Sequence, residues 1–123
     1  MKITIVAVGG IKQRYLQQGI EDYAKRIRLF AKLDIVEVKE EKAPEDLSEA
    51  QEEQVREREG ERILQRLPDG SPGAKVVVLD MQGKQLSSEE LATQMAEWAT
   101  YGTNQLALVI GGSLGLSRQV RER

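Results

Sequence analysis

The chain has 123 residues, 40% hydrophobic and 31% charged, which suits one domain with a modest core. It contains no cysteine and no histidine, and this excludes disulfides, thiol nucleophiles, Cys/His metal sites and imidazole acid–base chemistry. A formal net charge of −2 supplies no bulk basic field for nucleic acid, and no run approaches the roughly 18 apolar residues of a membrane span.

In chain order, residues 2–8 are rich in β-branched side chains and stop at Gly9-Gly10, so they read as a first strand. The lysine before this apolar run imitates a secretion signal, but the run is too short for one, and the cytoplasm is the expected compartment. Leu16, Ile20, Tyr23, Ile27 and Phe30 then recur at helical spacing and predict a helix over residues 12–31, with Gly19 costing it a little stability. Tyr15 and Tyr23 suit base stacking, although aromatics at this spacing are more often core. Residues 11–33 hold six basic side chains (Lys12, Arg14, Lys25, Arg26, Arg28 and Lys32) against Glu21 and Asp22. Residues 37–61 hold eleven acidic against four basic ones. That asymmetry permits one positive face for RNA, and a solvated amphipathic helix accounts for it as well.

Residues 33–38 read as a second strand, followed by a charged loop at Pro44. Ser48 with Gln51 three residues on forms a capping box, opening a helix to about Leu67. Its apolar residues are Val55, Ile63, Leu64 and Leu67, so the first half is expected in solvent, with a bend at Gly60. Residues 68–73 are the clearest loop. Residues 75–81 form a third strand, apolar enough for a central place. Ser87 with Glu90 is a second capping box, for a helix to about Thr100 with Leu91, Met95, Trp98 and Ala99 inward. After a turn at 101–104, the apolar run Leu106-Ala107-Leu108-Val109-Ile110 suits a strand buried on both faces. Ser117 is placed to cap a short last helix. Strands alternating with helices predict an α/β domain over residues 1–123, with a mainly parallel sheet and helices on both faces.

Glycines directly after a buried strand allow a sharp turn and a close approach to the main chain. In open α/β sheets, ligands bind outside the carboxyl ends of the strands. Two loops therefore stand out, Leu79-Asp80-Met81-Gln82-Gly83-Lys84 and Ile110-Gly111-Gly112-Ser113-Leu114-Gly115. If the third and fourth strands are neighbours, the two can clasp a nucleotide-sized ligand; otherwise each is a connecting turn. Neither has the glycine spacing of a dinucleotide fold or a phosphate-binding loop, which argues against nicotinamide enzymes and nucleotidases. Asp80 reads as a turn-capping or solvent-facing carboxylate before a catalytic one, and Lys84 as a surface lysine. No side chain is assigned a catalytic role and no metal site is expected.

Several separated blocks together resemble one family. They are Met1-Lys2-Ile3-Thr4-Ile5-Val6-Ala7-Val8-Gly9, Glu41-Lys42-Ala43-Pro44-Glu45, Glu59-Gly60-Glu61-Arg62-Ile63-Leu64, Leu79 through Glu89, and Val109-Ile110-Gly111-Gly112-Ser113-Leu114-Gly115-Leu116. The order and spacing are similar to those of ribosomal RNA large subunit methyltransferase H, the pseudouridine N3-methyltransferases of the SPOUT class. The resemblance implies a knotted α/β fold that binds S-adenosylmethionine and works as a homodimer on the assembled ribosome. It also implies two cofactor contacts, with Leu79 packed on the adenine ring and the main chain at Gly111 bonded to its edge. In the family, a third cofactor loop, a helix that threads the knot and builds the dimer, and a basic tail follow the position equivalent to Arg123. The fold expected for this chain therefore lacks the knot-forming C-terminus. Its pocket would miss a wall, β-strand residues 106–110 would lose cover, and cofactor binding and turnover would be weak. The alternative from another class is a non-catalytic module of the same fold that binds the ribosome or its RNA.

Overall fold

The computed structural model describes residues 1–41, 47–68, 73–80, 83–112, 115–117 and 120. Strands and helices alternate as expected: β1 (Lys2–Val8), α1 (Arg14–Ile27), β2 (Lys32–Val38), α2 (Glu49–Leu64), β3 (Ala74–Leu79), α3 (Ser88–Thr100) and β4 (Gln105–Ile110). Every strand pair is parallel, and the order across the sheet is β2-β1-β4-β3. The loop readings at Pro44, at 69–72 and at Met81 fall outside the described residues.

Residues in register share a face of the sheet. On one side Ile3 and Leu33 pack with Ala24 of α1, joined by Ile5, Leu108 and Met95 of α3. On the other, Val6, Val38 and Val109 pack with Ile63 of α2 and with Leu116 and Val120 from the chain after β4. Helices thus cover both faces, as a parallel sheet requires. β3 lies at an edge of the sheet and not centrally, and its valines are half-buried. Apolar composition reports cover from above and below, and it says nothing about how many strands flank a strand sideways.

Both capping boxes form. Ser48 Oγ accepts from the Gln51 N–H at 3.2 Å while Gln51 Oε1 accepts from the Ser48 N–H at 3.0 Å. The Ser87–Glu90 pair repeats this at 3.1 and 3.3 Å. Each box satisfies two main-chain groups that a helix start would leave without partners. Ser117 Oγ accepts from the Val120 N–H at 3.4 Å, and the rest of the expected last helix lies outside the described residues.

Four expectations are corrected. α1 is shorter than residues 12–31, and its stripe is not core: Ala24 is its buried residue, while Tyr15, Tyr23 and Phe30 are exposed, Phe30 at 88%. Small Ala24 brings α1 against Leu33, while Leu16, Ile20 and Ile27 stay partly open, Ile20 over a groove in the sheet. On α3, Ala99 is exposed, and Leu91, Met95 and Trp98 are half-buried. α2 runs unbroken through Gly60, which marks a close approach instead of a bend: a Cβ there would meet Ser117 Oγ and lie 3.2 Å from Val120 Cγ2. Finally, β4 keeps most of its cover: Leu106, Ala107 and Val109 are buried, Val109 under Leu116 and Val120, while Ile110 at its end stays 42% exposed.

Candidate functional site

The sheet brings the two candidate loops together. β3 and β4 are neighbours, and Leu79 is the register partner of Ile110 at their carboxyl ends. Both side chains project to the α1/α3 face and stay open, Leu79 at 53% and Ile110 at 42% exposure. Beyond β3, the Gly83 N–H donates to the Asp80 carbonyl at 2.9 Å. Beyond β4, the Gly115 N–H donates to the Gly112 carbonyl at 3.0 Å. Gly115 holds φ at +84°, a conformation that glycine adopts without strain. Residues 81–82 and 113–114, at the tips of these loops, lie outside the described residues.

Packing accounts for two of these glycines. A Cβ on Gly111 would sit 2.8 Å from Leu116 Cγ, inside the contact distance of a buried leucine. A Cβ on Gly112 would sit 3.0 Å from Glu59 Oε1 and 3.1 Å from Val8 Cγ1. The Gly111-Gly112 pair is therefore pinched between β1, α2 and the returning chain, and its main chain stays uncovered by any side chain of its own.

Sequence reasoning missed Glu59. It is 3% exposed, and its Oε2 accepts from the Glu41 N–H at 3.0 Å while Oε1 has no partner. Burial raises its carboxyl pKa above the ordinary range, and the nearby Glu40 charge adds to the rise. The signal was its spacing, four residues after buried Val55 and four before buried Ile63, which put a carboxylate on the inward stripe of α2. Its neighbour Glu41 is in the opposite state. Arg62 at 2.7 Å and Arg58 at 3.2 Å hold that carboxyl below the ordinary glutamate range. Arg62 also donates to the Lys39 carbonyl at 2.8 Å, so α2 ties down the chain that follows β2.

A groove of about 620 Å³ opens on the α1 side, over Ile5, Ala7, Ile35 and Ile110, with Ile20 above and Gly9-Gly10 at its end. Ile110 is on its wall, whereas Leu79 stands outside it. Lys84 is exposed, and Asp80 is half-buried where its carbonyl accepts from the Gly83 N–H. Among the described residues no helix is long and apolar enough to cross a membrane, and no group of acidic side chains is arranged to hold a metal ion.

A parallel sheet with helices on both faces and glycine turns at its carboxyl edge defines an α/β protein of the kind that takes small ligands at that edge. Comparison with known proteins gives the family. A family model described as "Predicted SPOUT methyltransferase" matches residues 1–123. The ribosomal RNA large subunit methyltransferase H of Carboxydothermus hydrogenoformans is 53% identical over 123 residues, 100% of this chain and 76% of the relative. Relatives with that same name from Alkaliphilus oremlandii and Bacillus pumilus are 49% and 48% identical over the same shares. The chain belongs to the SPOUT methyltransferase family.

Proposed function

We propose that this protein uses S-adenosylmethionine to methylate N3 of a pseudouridine in large-subunit ribosomal RNA, as a homodimer acting on ribosomes in the cytoplasm. The observation that carries the reading is the pairing of Leu79 with Ile110, which sets an open apolar side chain beside the bare main chain of Gly111. Those residues fit the nucleoside end of the cofactor. Leu79 offers an apolar contact for the adenine ring, and the glycines after β4 offer main-chain donors and acceptors with no side chains of their own. When bound, S-adenosylmethionine supplies an electrophilic methyl group on its sulfonium. The chain's part is to hold the nucleoside so that this methyl faces the acceptor nitrogen, and such positioning is the chief source of rate in a displacement of this type. The RNA substrate follows from the relatives' name, and the N3 position and the dimer follow from the family resemblance.

Labelled S-adenosylmethionine and purified large ribosomal subunits test the proposal. Label recovered at a pseudouridine N3 supports it. Co-sedimentation with ribosomes without incorporation favours a binding module of the same fold instead.

A further inference from the structure

We propose that Glu59 is a positioning residue for the glycine turn after β4, its buried carboxyl setting the main-chain conformation of Gly112 from beneath. Glu59 projects from the inward stripe of α2, on the face of the sheet opposite the exposed side chains of Leu79 and Ile110. One carboxyl oxygen is committed to the Glu41 N–H, and the other is buried, unpartnered and pressed against Gly112. Gly112 has no Cβ, so its main chain can lie against that oxygen; any side chain would push the turn away. An unsatisfied buried oxygen is costly, and the fold sets the main chain of Gly112 against this one.

The relief depends on a proton. With Oε1 protonated, its O–H can donate to a main-chain carbonyl of the turn. With the carboxyl ionised, Oε1 can only accept, and it then favours a main-chain N–H turned toward it. The proton thus selects which way the glycine peptide units face, and glycine has the freedom to follow. The charged groups facing Glu59 among the described residues are Glu40 and Glu41 from the chain after β2 and Arg62 from α2 itself. Burial and the charges of the two glutamates favour the protonated form, and the Glu41 N–H bond and then Arg62 oppose them. This inference rests on the proposed function only for the identity of the ligand that the turn meets.

The test is an NMR pH titration of the full chain. The amide resonances of Gly112 and Gly115 and the side-chain carboxyl 13C of Glu59 are expected to move in one step with a shared midpoint above the ordinary 4.5 of a glutamate. The step is expected to vanish from the glycine amides in Glu59→Gln, which keeps an oxygen for the Glu41 N–H. Glycine resonances that stay flat, that move with a different midpoint from Glu59, or that titrate unchanged in Glu59→Gln overturn the inference. The wild-type midpoints decide it alone if the variant does not fold. Titrating S-adenosylmethionine across the same pH range separates the two claims. If the turn follows Glu59 while no cofactor binds at any pH, the positioning role stands and the cofactor reading of Gly111 fails.

Discussion

Gly111 and Leu116 are packed so closely that a Cβ on the glycine would lie 2.8 Å from Leu116 Cγ. Gly111→Ala is therefore expected to destabilise the fold by about 1–3 kcal/mol through overpacking. A lower urea midpoint with an unchanged slope would show it. Leu116→Ala opens the space that the new methyl needs, so the double variant should lose less than the sum of the two single variants. Strict additivity would mean that the two side chains do not compete for that space.

Leu79 should separate binding from stability. It is half-exposed at the sheet edge, so Leu79→Ala is expected to change stability by no more than about 1 kcal/mol. Losing its contact with an adenine ring should weaken S-adenosylmethionine binding by about tenfold, equivalent to about 1.4 kcal/mol. Calorimetry on the wild type and the variant makes the comparison. Unchanged affinity would remove Leu79 from the cofactor site.

The two capping boxes are local and lie on helices at opposite faces of the sheet. Ser48→Ala and Ser87→Ala are each expected to cost about 1 kcal/mol. Their effects on the urea midpoint should add, since they share no partner.

At Gly60 helix propensity and packing oppose one another. Alanine is better than glycine in a helix interior by about 1 kcal/mol. A methyl there would meet Ser117 Oγ and Val120, an overpacking that costs about 1–3 kcal/mol. Packing is expected to win, and Gly60→Ala should melt below the wild type.

Glu41 and Glu59 should tilt the pH–stability curve in opposite directions. Glu41 has a lowered folded-state pKa, held down by Arg62 and then Arg58. Its contribution is complete above the ordinary glutamate pKa and is lost as pH falls through the lowered value. Glu59 has a raised folded-state pKa, so the native state holds its proton longer than the unfolded chain does. Stability from this group is present below the ordinary value and is lost as pH rises through the raised one. Thermal melts should therefore show Glu59→Gln gaining on the wild type as pH rises, and Glu41→Gln losing most of its deficit in acid. A Glu59→Gln deficit that grows with pH would contradict this assignment.

Much of the fold was legible because its signals are short-range. The capping boxes are bonds between residues three apart, and the strands announce themselves by β-branched runs ending in glycine. The glycine turn after β4 was placed correctly for the same reason. The stripe on α1 was misread because periodicity reports which residues share a helix face, and burial depends on what that face meets. Here it meets the sheet closely only at Ala24.

From the sequence alone came the alternation of strands and helices, the capped starts of α2 and α3, and the glycine-bearing loops after β3 and β4, all of which depend on neighbours along the chain. Only the tertiary structure decided that β3 lies at the edge beside β4, so that Leu79 pairs with Ile110. It alone placed Glu59 beneath Gly112, 53 positions further along the chain, because that contact requires α2 and the end of β4 to pack on one face of a sheet whose order no local signal encodes.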